Sequence, residues 1–535
     1  MGFTLNHSRG NTYINQRGNA YIGSSSSDRA LSAWNASAGS ADADLKDELG
    51  KIRNRSRDLT RNNGIAAGYM QTEADNVIGN VLKLSAKPNT RLLGWTREQA
   101  YDWGKTTEAH FGTWADTTEC DASRRNNLLG LTKLGIKSEI QNGDFLAVVR
   151  YIKTRQRTWR TALQMVEGDR LSTPTGKEND PNIRDGVEIN KYGEPVAYYI
   201  RKTHPGDVNT GMALDEWIRI PATTKWGRKK VIHVARQDRI GQNRAAPILS
   251  SVLRSFKQLD KYSDAELDAA VVNALVAGVI KSGLNSESVR EIFGAACDSD
   301  ASAIPDYWAA TMKENTPILR SGSILNLPIG ADFESFDPSR PNSAFEDFMV
   351  GTLRHVSAGL NLPYELLVKD FSRTNYSSVR AALLEAWRYF NGRREWIKAQ
   401  WLDPIYDIWL EEAVGRGIVE APGFFDHLRY AYTRSKFIFA GRGWVDPVKE
   451  SQAAKIRIEA GLSTMESECA DQGNDWEDVL EQQAVEEKKR KELGLPSLFL
   501  IQGVSMESEN EDGQTSVDDE DDQSSEDEQA ETEAA

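Results

Sequence analysis

Residues 359–401 read GLNLPYELLVKDFSRTNYSSVRAALLEAWRYFNGRREWIKAQW, a helix end, a polar loop and a long helix. Apolar residues Val379, Leu383, Ala386, Trp387, Phe390, Ile397 and Trp401 recur at steps of three, four or seven, which places them on one stripe of a helix. Ser377 and Ser378 can cap its start. Arg380, Arg388, Arg393, Arg394 and Lys398 are predicted on its other faces, behind a polar loop, 370–376, with one basic group, Arg373. Two readings stand open: a solvated charged face on an ordinary helix, or a surface that meets an anionic partner.

Outward from that stretch the pattern is mixed but mostly helical. Residues 1–41 are rich in Asn, Gly, Ser and Ala and read as a flexible arm. A helical pattern starts at Asp42 and breaks at Asn62-Asn63-Gly64. Arg53, Arg55, Arg57 and Arg61 read as its solvated face. Two helices are expected between Thr96 and Gly143, with Trp95, Trp103, Phe111 and Trp114 as core anchors. Segments 145–151, 198–200 and 231–234 are aromatic and β-branched and read as strands. A helix is expected over 245–280, its Ala269, Ala270, Ala274 and Ala277 permitting close approach of a neighbour. A loop-rich module follows at 284–340, then helices over 342–360, 403–414 (past Pro404) and 446–493, the last with Lys488, Lys489, Arg490 and Lys491 near its end, where cations suit the helix dipole.

Composition bounds the rest. At 535 residues the chain holds several domains of about 100–200 residues. No run of about 18 apolar residues and no signal pattern is present, so the chain reads as soluble and intracellular. Cys120, Cys297 and Cys469 form no CxxC pair and read as buried free thiols. Of 79 acidic groups, fourteen lie in 507–533 with no Lys or Arg, so the remainder matches the 65 basic groups. The acidic tail reads as disordered. A neutral body argues against a tight grip on duplex DNA, which rests largely on neutralising phosphates.

Enzyme signatures fail on inspection. Gly104-Lys105-Thr106 resembles the end of a phosphate-binding loop, but Gln99 stands where its first Gly belongs and the segment reads as helix. The six histidines make no HExxH or paired-ligand spacing, and there is no GxSxG elbow. No catalytic residue, metal ligand or cofactor site is therefore assigned.

The words GLNLPYELL (359–367), NYSSVR (375–380) and WVDPVKE (444–450), in this order, resemble the portal proteins of lambda-type tailed bacteriophages, over roughly 42–496. The resemblance implies an α+β, mostly helical portal fold: a flexible arm 1–41, wing 42–283, stem and clip 284–362, tunnel loop and helix 363–401, crown 402–500 and disordered acidic tail 501–535. It implies a homo-oligomeric ring, a dodecamer, at one capsid vertex of the virion. Double-stranded DNA is packaged and later ejected through that ring. The implied partners are the terminase large subunit as packaging motor, major capsid and scaffold proteins, and head-tail joining proteins. Assembly is implied in the host cytoplasm, with no membrane and no cofactor. Lys369, Arg373, Asn375, Tyr376 and Arg380 are expected at the DNA tunnel. The alternative from another class is a nucleic-acid-processing enzyme with a site hidden from sequence.

Overall fold

The first helical run divides where the turn signal sits. Ala41–Lys46 (α1), started by the Ser40 side chain, and Leu49–Asn62 (α2) lead to Asn63. Its extended backbone ends α2, and its Oδ1 accepts from the amides of Ile65 and Ala66, both at 3.0 Å, to start Gly64–Val77 (α3). The computed structural model describes residues 24, 28–36, 38–207, 216–275, 279–282, 331–334, 345–372, 374–443 and 446–497, with backbone alone at 272–275, 279–282 and 331–334. Most of the N-terminal arm, Ala277, Cys297, most of 284–344, Arg373 and the acidic tail lie outside the described residues.

After Leu82–Ala86 (β1) and Thr90–Leu93 (α4), Thr96 and Gln99 form a reciprocal capping box that starts Arg97–Ala115 (α5). Gln99 is thus a capping residue, and Gly104 lies mid-helix where a Cβ would stand 3.0 Å from the Ala86 carbonyl oxygen. Glycine is used there for close approach to β1, not for phosphate. Leu128–Asn142 (α6) follows, capped by Asn127.

Asp144–Tyr151 (β2) pairs antiparallel with Thr161–Val166 (β3). Ile183–Arg184 (β4), Val187–Ile189 (β5), Pro195–Arg201 (β6) and Trp217–Pro221 (β7) form a second antiparallel sheet in sequence order, and Val231–Ala235 (β8) returns to the other edge of β2. Phe145, Leu146, Ala147 and Val148 are all buried. Strand β2 is therefore covered on both faces, and its apolar run is continuous instead of alternating.

A 3-10 turn at Ile248–Ser251 precedes Leu253–Leu275 (α7). The expected helix to 280 stops short: Val279–Ser282 (β9) is a strand paired with Ala331–Glu334 (β10). Gly278 ahead of the β-branched pair Val279-Ile280 explains the change, since glycine disfavours helix and branching favours strand. Phe345–Gly359 (α8), Tyr364–Val368 (α9) and Tyr376–Ile397 (α10) come next. A π-helical turn at Lys398–Leu402 then carries the chain into Asp403–Gly415 (α11), with Pro404 in its first turn. Arg429–Tyr432 (α12) leads to Ser435–Phe439 (β11), which pairs with β1.

The core of this part is aromatic. Phe111 and Trp159 each have ring centroids 5.1 Å from Trp409, and Trp114 is fully buried beside Phe111. Trp95 and Trp103 are only half-buried, packed edge-on and tilted against Tyr432. They edge the core instead of anchoring it. Cys120 is buried and free, its thiol pushed up to about 12 by burial and the neighbouring Asp121, whereas Cys469 is only half-buried.

The chain divides into two compact units, Met1–Phe437 and Ile438–Ala535. The second holds Pro447–Glu459 (α13), Met465–Asp471 (α14) and Trp476–Glu492 (α15), none of which contributes a buried residue. The expected basic end of the last helix is present as Lys489, Arg490 and Lys491 in its final turn.

Candidate functional site

The loop between α9 and α10 is shaped by short-range hydrogen bonds. Helix α8 ends at Gly359, where a Cβ would lie 2.7 Å from Val252 Cγ1, and the chain turns through Asn361 in the left-handed region (φ 54°). Buried Leu360, Leu362 and Leu367 hold this turn, and Ser357 Oγ donates to the Leu362 carbonyl. Lys369, also left-handed (φ 61°), ends α9 and is exposed. Asp370 Oδ1 accepts from the Ser372 amide (3.0 Å) and hydroxyl (2.6 Å), and Thr374 Oγ1 donates to the Phe371 carbonyl (3.0 Å).

Asn375 then caps α10, its Oδ1 accepting from the Ser378 amide at 2.9 Å. The expected serine cap is therefore two to three residues too late: Ser377 and Ser378 lie inside the helix, and asparagine supplies the oxygen. Lys369, Asn375, Tyr376 and Arg380 are all exposed; Arg373 lies outside the described residues.

Helix α10 is asymmetric along its length. Residues 376–385 include no buried side chain, with Tyr376 and Leu384 about half exposed at 53% and 52%, whereas Ala386, Phe390, Arg393 and Ile397 are buried. The apolar stripe expected from Val379 to Trp401 is half-buried at Val379 and Leu383 and becomes fully buried at Ala386, Phe390, Ile397 and Trp401.

The expected basic face also divides. Arg380 and Arg388 are exposed, the latter 3.3 Å from Glu385, and Lys398 pairs with Asp403 at 2.9 Å. Arg393 is not on a solvated face. It is 6% exposed and donates from Nε to Glu73 Oε1 (2.9 Å) and from Nη2 to Glu139 Oε2 (2.5 Å), while Tyr389 OH donates to Glu73 (3.0 Å). Burial alone would lower the Arg393 pKa, but Glu139 and Glu73 raise it above the ordinary arginine value. Burial raises that of Glu139 despite Arg393. Arg394 donates to the carbonyls of Val77 and Asn76, both at 2.9 Å, and so completes the C-terminal end of α3. The foot of α10 is thus fastened to α3 and α6 by charge, while its head and the loop ahead of it are left to solvent.

A second buried charge hub lies under α2. Asp144 accepts from Arg53 Nη2 (2.7 Å) and Arg244 Nε (2.5 Å), with His233 Nε2 at 3.3 Å. Burial would raise its carboxyl, but Arg244 and Arg53 hold it well below the usual carboxylate range. Arg53 and Arg57 therefore do not belong to the solvated face expected for them, because Arg57 pairs with Asp169 one turn further on; Arg55 and Arg61 are exposed as read. At Gly168 a Cβ would meet Asp144 Oδ1 at 2.5 Å, so only glycine lets the hub close.

Among the described residues no three His, Cys, Asp or Glu side chains are grouped to hold a metal ion, and no described helix is long and apolar enough to cross a membrane.

Comparison with known proteins supplies the class. The family described as "Phage portal protein, lambda family" matches residues 27–394. The portal protein of Escherichia phage N15 is 31% identical over 483 residues, covering 87% of this chain and 89% of the relative. Portal protein B of Escherichia phage lambda is 32% identical over 483 residues, covering 87% and 88%. Among solved structures, a chain from the neck of an empty GTA particle, computed with C6 symmetry, is 14% identical with a TM-score of 0.43, covering 83% of this chain and 94% of that one. That score adds nothing to the assignment, which rests on the sequence relatives. A portal is a structural, non-enzymatic capsid component, which sets aside the reading as a nucleic-acid-processing enzyme. The chain belongs to the lambda family of phage portal proteins, the head-tail connectors of the virion.

Proposed function

We propose that identical copies of this chain close into a ring, a dodecamer, at one capsid vertex, and that double-stranded DNA is packaged and later ejected through its middle. The loop with Lys369, Arg373, Asn375 and Tyr376, together with Arg380 on the helix behind it, lines the narrowest part. The observation that carries this reading is the asymmetry of α10: a foot fixed by Arg393 and Arg394, and a head with Leu384 and Tyr376 uncovered. A helix built in this way holds a loop in place without covering it. Head-to-tail contacts that close by rotation give such a ring, and the uncovered apolar side chains suit a neighbouring copy.

In this arrangement 42–283 is the wing, 284–362 the stem and clip, 363–401 the tunnel loop and helix, and 402–500 the crown, with 1–41 and 501–535 as the N-terminal arm and acidic tail. The packaging motor, the terminase large subunit, docks at the clip. Capsid and scaffold proteins surround the wing, head-tail joining proteins follow below, and assembly takes place in the host cytoplasm. Phosphate contacts by Lys369, Arg373 and Arg380 position the duplex without reading bases.

The test is a charge-removing loop variant, Lys369→Gln with Arg373→Gln, that leaves the Asn375 cap in place. Rings should form at wild-type yield while packaging or retention of DNA changes several-fold. Normal packaging and retention, or failure to form rings, would remove the loop from the channel.

A further inference from the structure

The neutral average of the body conceals a concentration of unpaired cations at one end of the β3-β2-β8 sheet. Strand β2 runs toward Tyr151, and both of its partners are antiparallel, with Tyr151 opposite Thr161 and Val148 opposite Val231. The turn from β2 to β3 and the turn from β7 to β8 are therefore brought to the same end, tied by the Val149 amide donating to the Lys230 carbonyl at 2.9 Å. A third segment, 121–126, joins them. The Ala122 amide donates to the Leu163 carbonyl at 2.9 Å, and Arg124 donates to the Gln156 carbonyl.

These segments contribute two kinds of basic residue. Arg157 and Arg228 are turned inward: Arg157 donates to the carbonyls of Glu119 and Asp121, and Arg228 donates to Thr161 Oγ1 and lies 3.6 Å from Glu411. They serve the fold. Lys153, Arg155, Lys225, Lys229 and Arg125 are exposed and Lys230 half-buried, and among the described residues none of the six stands in an ion pair. The nearby carboxylates are directed elsewhere. Glu119 accepts from the amides of Thr158 and Trp159, and Glu412 from those of Arg160 and Thr161.

Two aromatic side chains stand among the cations. Trp226 is 71% exposed at the tip of a turn closed by the Thr224 amide donating to the Arg228 carbonyl at 2.7 Å, and Tyr151 is 51% exposed with Lys153 Nζ 5.9 Å from its ring centre.

We propose that this sheet end is a second nucleic-acid contact, separate from the channel loop, that holds the phosphate backbone of duplex DNA on the outside of the protein. The chemistry favours a phosphate backbone over a folded protein partner. A stable protein interface needs an apolar core inside a polar rim, whereas here two isolated rings sit among six cations spread over three loops. Such an arrangement neutralises phosphates and releases counter-ions, with the rings adding contact. The inference does not rest on the channel reading.

The probe is closed circular duplex DNA, which cannot thread a closed ring, so binding reports the outer surface whatever the channel does. Full-length protein should bind it with a steep salt dependence. Lys225→Gln/Lys229→Gln/Lys230→Gln should lower the slope of log K against log salt by about 2–3 and the affinity near 0.1 M salt on the order of a hundredfold. The matching lysine-to-arginine triple variant should bind as wild type, and Trp226→Ala should lower affinity with the slope unchanged. Wild-type protein that does not bind the circle, or a glutamine triple variant with wild-type affinity and slope, would overturn the proposal. Loss of binding to a peptide of residues 505–535 with DNA binding intact would also overturn it, and would assign the patch to an acidic polypeptide.

Discussion

Asp144→Ala should destabilise the first unit by about 3 kcal/mol, because it leaves two buried guanidinium groups, Arg53 and Arg244, without their shared carboxylate. Removing one partner of a buried ion pair costs about 3–5 kcal/mol. The lower end applies here since Arg53 keeps the Asn142 carbonyl at 2.7 Å, and Arg244 keeps those of Leu171 and Gly168 at 2.7 and 2.8 Å. Urea denaturation at neutral pH measures the loss.

The pH dependence has a definite sign. The Asp144 carboxyl is held low in the folded state and ionises near 3.9 when unfolded, so its stabilisation is full above about pH 5 and declines as pH falls toward the folded value. Asp144→Asn should therefore differ most from wild type near neutrality and converge with it in acid. A loss under about 1 kcal/mol at neutral pH would mean that Asp169 and Asp185 suffice for the two arginines.

Arg393→Ala should cost about 3–5 kcal/mol at neutral pH, since it strands Glu73 and Glu139 together in the interior. Here too the defect should be largest near neutrality, though the carboxyl involved is shifted up instead of down. Burial already raises the Glu139 pKa, and without the guanidinium it should rise further, so the defect should shrink as pH falls and Glu139 takes up a proton. Equal losses at pH 5 and pH 8 would contradict this account. The variant should also disturb the loop at the far end of α10, because its foot is the part that fixes the helix.

The helices were legible where local chemistry decides them. Asn63 both ends and starts a helix, Pro404 sits in a first turn, and the 3.6-residue period of α10 runs through Ala386, Phe390 and Ile397. The burial of Arg393 was also written in that period, since it stands three after Phe390 and four before Ile397. Reading it as solvated followed charge alone. What sequence could not supply were the carboxylates that make burial tolerable, which come from 320 and 254 positions away. Arg53 is the same case, four residues after buried Leu49 and dependent on Asp144.

Strands β1, β3 and β11 went unread because LKLSA and TALQMV lack a strong β signature, and SKFIF pairs with a segment hundreds of positions earlier. The basic sheet end was hidden by averaging: a balanced charge count says nothing of cations that strand pairing gathers from three segments. The loop itself was legible as a polar connector. Its hydrogen bonds and the asparagine cap needed the backbone.

The claim that the loop over 369–376 lines the DNA channel is tested most directly by an electron-microscopy reconstruction of purified full-length rings. The account predicts a closed ring in which Lys369, Arg373, Asn375 and Tyr376 approach the symmetry axis more closely than any other part of the chain. A ring with that loop on its outer rim, or a chain that stays monomeric at micromolar concentration, would contradict it.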